Sequence, residues 1–322
     1  MNETTTPPDV LVFGGLADHW KGVIKESQAG LRVISRHNRR DDLGNLEAVR
    51  CLVGWQFPDA LFRRLPKLEW IQCLSVGVDK LVRHPDIPSS VRITNTGGLY
   101  GDAISEYVLW AILTLSRRFH TVVQNQVKRR WEQVGGSILK GSTVGIIGIG
   151  DVGKQVAQLS KAMQMQTVGF VRDEKAGMAY ANVDHVASID CLGEHIGEID
   201  ALVLCLPLTS TSVGLINRDI IRKMRNSAVL VNIARAELID EDALVEALTD
   251  GHLGGAALDV FDREPIRKWS RLWKTRNLLV TPHTSALTSD YRTRVSNLIR
   301  RNVVRFAEER PLLNEIDRSR GY

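Results

Sequence analysis

The chain has little cysteine. Its four thiols among 322 residues (Cys51, Cys73, Cys191, Cys205) are scattered, with no CxxC pair and no histidine at metal-ligand spacing. That excludes a disulfide scaffold and a zinc module, and no metal site is expected. The thiols read as free and mostly buried, in a protein of a reducing, cytoplasmic compartment. Long hydrophobic runs are also missing. The most apolar helical stretch, 104–115, carries Glu106 and is too short to span a bilayer. Residues 1–9 are polar and contain proline, so no signal peptide is expected. Aromatic residues make up only 6% and do not interleave with the basic run Lys128-Arg129-Arg130-Trp131. That run reads as a solvated or dimer-facing segment and not as a nucleic-acid patch. Neither charge sign dominates: 42 basic against 37 acidic residues leave +5. Such a balance suits an anionic small molecule and gives no argument for nucleic acid or membrane. What is present, 43% apolar and 25% charged residues, is ordinary for a globular chain, and the length suits two domains.

Short apolar runs at 10–13, 31–34, 51–54, 70–74 and 91–94 alternate with amphipathic stretches such as 59–64. This predicts a parallel sheet with helices on its faces. Val108, Ala111, Ile112 and Leu115 then recur at helical spacing, and a looser basic stretch spans 124–141. Alternation restarts at Thr143, with strands expected at 144–147, 167–171, 201–206, 228–233, 255–260 and 277–280. These runs are continuously apolar, so both faces of the second sheet should be covered. A last helix carries Val295, Leu298, Ile299, Asn302 and Val303 on one face. The fold class is therefore α/β, with two doubly wound parallel-sheet units.

The run Gly148-Ile149-Gly150-Asp151-Val152-Gly153 follows a buried strand and opens a helix. This is G-x-G-x-x-G in the setting a dinucleotide requires. Gly148 allows the turn, Gly150 admits a pyrophosphate, and Gly153 lets helix and strand pack closely. The helix N-terminus at Asp151 and Val152 offers free N–H groups to the phosphates. At the end of the next strand, Arg172 can pair with a 2′-phosphate and points to NADP. Asp173 would hold a ribose hydroxyl and restore NAD if the loop shifted by one residue.

Three segments end strands of the second unit: 231–235 with Arg235, 257–265 with Asp259 and Glu264, and 281–285 with His283. Asp240 is placed to cap the helix that begins at Glu241. Ligands of open α/β sheets bind beyond the carboxyl ends of strands, so an arginine, a carboxylate and a histidine meet at the ligand edge.

With these motifs in place, nearly the whole chain resembles the D-isomer-specific 2-hydroxyacid dehydrogenases. The resemblance rests on Ser75-Val76-Gly77-Val78-Asp79, Thr94-Asn95-Thr96, Ala103-Ile104-Ser105-Glu106 and Leu206-Pro207-Leu208-Thr209. It also rests on the Arg235 segment, Leu258-Asp259-Val260, Pro282-His283, Pro311-Leu312-Leu313-Asn314 and Gly321-Tyr322. It implies a Rossmann dinucleotide-binding domain, 98–286, inserted into a flavodoxin-like substrate domain, 1–97 with 287–322, so that the chain crosses twice. It implies catalytic roles for Arg235, Glu264 and His283, a nicotinamide-carboxamide contact at Asp259, a cofactor contact at Pro207, and a substrate-carboxylate loop at Val76 and Gly77. A homodimer is implied as well.

The chemistry agrees. Arg235 can fork onto the carboxylate and carbonyl of a 2-oxo acid, and His283 can donate the proton to the alkoxide. Glu264 beside it would favour the charged ring and fix its orientation. Departures from the family pattern stand at Ala236, Gln164, Ala286, Leu287 and Gly97-Gly98-Leu99-Tyr100. Leu99 and Tyr100, with Trp55, are candidates for the substrate side-chain pocket. The expected reaction is reduction of a glyoxylate- or hydroxypyruvate-type 2-oxo acid. The alternatives are a short-form phosphoglycerate dehydrogenase and a non-enzymatic, dinucleotide-sensing corepressor-like protein.

Overall fold

A computed structural model describes residues 9–27, 29–38, 43–172 and 180–319. The chain forms two compact units, Met1–Leu99 with Thr288–Tyr322, and Tyr100–Leu287.

The first unit holds β1 (Val10–Phe13), β2 (Val33–Arg36), β3 (Cys51–Gly54), β4 (Trp70–Cys73) and β5 (Arg92–Thr94). All pair in parallel in the order β2-β1-β3-β4-β5. β1, β3 and β4 are buried at every position, which is why they read as apolar runs, interrupted in β4 only by buried Gln72. The helices Ala17–Glu26 and Tyr291–Ala307 pack against each other, with Trp20 edge-on to Tyr291 at 6.5 Å. Asn302, placed by periodicity on the buried face, is fully buried. Its amide nitrogen donates to Gln72 Oε1 at 2.9 Å and to the Leu313 carbonyl at 3.0 Å, and its Oδ1 accepts from Leu313 N at 2.8 Å. A buried amide with partners on both ends avoids the usual penalty, and this one ties the 311–314 segment to the sheet.

The second unit holds β6 (Thr143–Ile147), β7 (Gln166–Val171), β8 (His185–Ser188), β9 (Ala201–Leu204), β10 (Val229–Asn232), β11 (Gly255–Leu258) and β12 (Leu278–Val280). The order is β12-β11-β10-β9-β6-β7-β8, all parallel. From β6 the chain runs outward to β8, then returns to the other side of β6 with β9. The switch point thus lies between β6 and β9, where ligands of such sheets bind. Helices Gly101–Ser116 and Asp151–Ala162 pack together. Asp240 caps Glu241–Thr249 by accepting from Ala243 N at 2.9 Å.

Three elements differ from the sequence expectation. β2 lies two residues later than 31–34. β8 was not anticipated, because an edge strand with exposed His185 and only Ala187 buried carries no apolar run. The start of the basic 124–141 stretch is helical, as the end of Phe119–Val127. No helix of the described residues is long and apolar enough to cross a membrane.

Candidate active site

Because every strand of the second sheet is parallel, all their carboxyl ends share one edge, and the candidate residues lie there. β6 ends in the glycine turn. Gly148 has φ +92°, and a Cβ on it would lie 2.9 Å from the Cys205 carbonyl oxygen. A Cβ on Gly153 would lie 2.1 Å from the Gly148 carbonyl oxygen, so only glycine lets this helix meet the turn. Gly150 is different: nothing stands within 4 Å of its Cβ position. The fold does not demand glycine there, whereas a pyrophosphate approaching the backbone at the first turn of Asp151–Ala162 does. Asp151 is exposed and Val152 half-buried at this turn. The site therefore fits a dinucleotide.

Arg172 directly follows β7, and its Nη2 donates to Thr209 Oγ1 at 3.4 Å. Thr209 Oγ1 also lies 3.1 Å from Thr211 Oγ1 and 3.3 Å from Ser212 Oγ. Ser212 closes the 207–212 loop on itself, accepting from Thr209 N and donating to the Pro207 carbonyl. Pro207 is exposed between buried Leu206 and Leu208. The guanidinium and hydroxyls form a cluster suited to a phosphate, and the hydroxyls were not anticipated from the sequence. Asp173, Gly321 and Tyr322 lie outside the described residues.

β10, β11 and β12 are neighbours, and each delivers one candidate group. Asn232, fully buried at the end of β10, accepts from Ala234 N at 3.0 Å and donates to the Arg235 carbonyl at 2.7 Å. That fixes the turn from which Arg235 projects. Arg235 Nη1 donates to the Ala234 carbonyl at 2.6 Å. Ala236 opens the short helical turn Ala236–Leu238, a conformation that needs no glycine. After β11, Glu264 Oε1 accepts from Phe261 N at 3.0 Å and Oε2 meets His283 Nδ1 at 2.9 Å. The two side chains are 37% and 41% exposed. So open an ion pair contributes little to stability, and its value is orientation of the ring. The contact sets which ring nitrogen, Nδ1, faces the carboxylate.

Asp259 is fully buried. Its Oδ1 accepts from Thr281 Oγ1 at 2.6 Å and Thr284 N at 2.8 Å, and its Oδ2 accepts from Ser285 N at 2.9 Å. Tyr100 is also buried, at 5% exposure, just before Gly101–Ser116. Ala286 is half-buried, Leu287 exposed and Trp55 54% exposed.

In the first unit, the loop after β4 presents donors. The Val76 carbonyl accepts from Asn95 Nδ2 at 2.7 Å and the Gly77 carbonyl from Ser75 Oγ at 2.9 Å. With both carbonyls tied back, the N–H groups of Val76 and Gly77 have no acceptor among the described residues and can hold an anion. Asn95 is steadied by Asn314, which accepts its N–H through the backbone at 3.2 Å and donates to the Gly97 carbonyl at 2.8 Å. Spacing alone gave no signal for this pair of asparagines. All four cysteines are free, and burial pushes Cys51 well up and Cys205 up to about 12, so neither is a ready nucleophile. No group of three metal-ligating side chains occurs among the described residues.

A glycine turn at a switch point, beside an arginine and a histidine–carboxylate pair, defines a nicotinamide-dependent oxidoreductase of carbonyl and hydroxyl substrates. The family model of the D-isomer specific 2-hydroxyacid dehydrogenase NAD binding domain matches residues 109–285, and the chain belongs to that family. It is similar to a glyoxylate reductase of Pyrococcus furiosus, 28% identical over 85% of this chain and 83% of that one. It is similar in structure to a D-isomer specific 2-hydroxyacid dehydrogenase of Xanthobacter autotrophicus Py2 in complex with NADPH and MES. That match has 30% identity and a TM-score of 0.85, covering 98% of this chain and 100% of that one. An NADPH-dependent glyoxylate/hydroxypyruvate reductase of Sinorhizobium meliloti, in complex with NADP and sulfate, matches at 27% identity and a TM-score of 0.86, with coverage of 98% and 100%.

Proposed function

We propose that the chain reduces small 2-oxo acids of the glyoxylate or hydroxypyruvate type to D-2-hydroxy acids, with NADPH preferred over NADH. The observation that carries this reading is the 2.9 Å contact between His283 and Glu264, one strand away from Arg235. A nicotinamide dinucleotide on the glycine turn supplies the hydride. Arg235 forks onto the substrate carboxylate and carbonyl and fixes their orientation. Negative charge develops on the carbonyl oxygen as it is reduced, and His283 Nε2 gives that oxygen its proton. Glu264 holds the ring in place for the transfer, and in the reverse direction His283 accepts the proton. In this reading Arg172 with Thr209 and Thr211 serves the 2′-phosphate. The structural relatives that carry NADPH or NADP support the cofactor assignment.

The test is an initial-rate panel of glyoxylate, hydroxypyruvate, phenylpyruvate and 3-phosphohydroxypyruvate, each with NADH and NADPH. Turnover of the first two, with kcat/KM at least tenfold higher for NADPH, is expected. Selective turnover of the phosphorylated acid would redirect the reading to a phosphoglycerate dehydrogenase, and no turnover with any would overturn it.

The same reading makes the protein a cytoplasmic homodimer. The support is an apolar stripe on the second unit. Phe119, Val122, Val123 and Val127 follow helical spacing and are 43% to 81% exposed, and Trp131 beyond them is 101% exposed.

A further inference from the structure

We infer that Tyr107, Thr281 and Asp259 form a hydrogen-bonded relay that positions the loop carrying His283. The inference rests on the function proposed above for His283.

The proton bookkeeping fixes the direction of the relay. Thr281 has one hydroxyl proton, and its 2.6 Å contact with Asp259 Oδ1 uses it, because a carboxylate has none to give. Tyr107 Oη lies 2.7 Å from the same Thr281 oxygen, so the phenol must be the donor there. The chain of donation is Tyr107 to Thr281 to Asp259. Burial, with the nearby Asp259 charge, raises the Tyr107 pKa to about 12, so the phenol keeps the proton that the relay needs.

Asp259 grips the loop on both sides of His283. Thr281 stands two residues before it, and Thr284 and Ser285 follow it. Between these anchors His283 has φ +53°, and its N–H donates to the Thr281 carbonyl at 3.0 Å across Pro282. A histidine in the left-handed region persists only where its surroundings over-determine it. Here the surroundings are one buried carboxylate with three donors. With no exposed surface, Asp259 shapes the turn that presents His283 to Glu264.

The variants are Tyr107→Phe, Thr281→Val and Thr281→Ser. Two measurements are made on each: hydrogen–deuterium exchange of the peptide spanning 281–287, and kcat for glyoxylate beside the dissociation constant for NADPH. The relay predicts faster exchange and about tenfold lower kcat for Tyr107→Phe and Thr281→Val, with NADPH affinity within twofold of wild type. Thr281→Ser, which keeps the hydroxyl, should restore both. Unchanged exchange and kcat would overturn the relay. So would an NADPH affinity that falls by the same factor as kcat, which is the mark of a direct cofactor contact. If the wild-type protein reduces no 2-oxo acid, the proposed function fails, while the exchange rates still decide whether the relay holds the loop.

Discussion

Two of the eight non-glycine residues with left-handed backbone among the described residues hold it for different reasons. His283 does so beside the loop contacts of Asp259, beyond β12 at the carboxyl edge of the second sheet. Gln164, with φ +58°, follows the helix Asp151–Ala162. Its N–H donates to the Lys161 carbonyl at 2.9 Å, and Met165 N to the Ser160 carbonyl at 3.0 Å. These are the paired bonds of a Schellman cap, whose αL position favours glycine. Gln164→Gly should therefore stabilise the protein by about 1 kcal/mol in urea unfolding, with activity unchanged; a destabilised variant would contradict this. His283→Ala should instead lower kcat by about 10² to 10⁴ with NADPH affinity retained, and rates near wild type would remove His283 from proton transfer. Tyr107 adds a pH signature. Its pKa rises from 10.0 to about 12 in the fold, so the folded state favours the protonated phenol. The resulting stabilisation is full below about pH 10 and is lost between about pH 10 and 12, because the unfolded chain ionises first; it amounts to about 3 kcal/mol. The gap in unfolding free energy between wild type and Tyr107→Phe should narrow over that range, and a constant gap would argue against the burial of this phenol.

At the scale of elements, the glycine turn separates what the fold requires from what a ligand requires. Gly153→Ala pushes a Cβ onto the Gly148 carbonyl oxygen, and should destabilise by about 1 to 3 kcal/mol. A Cβ at position 150 meets nothing of the protein, so the melting temperature of Gly150→Ala should stay near wild type while dinucleotide binding falls at least tenfold in titration. Equal thermal loss in both would remove the distinction. This turn was legible because its residue types are dictated locally, by φ and by close approach. The strands buried on both faces were legible for a similar reason: β1, β3, β4, β9, β10 and β11 are buried at every position and are filled almost wholly by apolar residues, Gln72 and Asn232 being the polar exceptions. β8 was not, since an edge strand needs few. His283 and Glu264 were legible through motif resemblance, but Thr281 and Tyr107 were not. They are 174 residues apart, and nothing in either local pattern shows that a phenol on one helix completes a hydroxyl–carboxylate pair after β12. The Asn95–Asn314 clamp was hidden likewise.

At the scale of the whole molecule, the question is what the apolar stripe of Phe119–Val127 is for. Of the described residues in that helix only Asn125 is buried, so its valines and phenylalanine are not recruited to the core of their own chain. Trp110, at 45% exposure, and Ile138, at 70%, extend the apolar surface along the same part of the sequence. Residues of this kind at 57% and 81% exposure, as in Val123 and Val127, favour a second apolar surface over water. A closed dimer, in which the same patch meets itself, satisfies the stripe with no other partner. Val127→Glu then places a carboxylate where the isolated chain already meets solvent, so the fold should survive. Two such carboxylates would be buried against apolar surface in the dimer, a cost of several kcal/mol. Sedimentation velocity should show the wild type at twice the mass of the chain and Val127→Glu at the mass of one. The wild-type melting temperature should rise with protein concentration, because only the folded state associates, and the variant's should not. A variant that sediments with the wild type, with unchanged concentration dependence, would place the interface away from this helix.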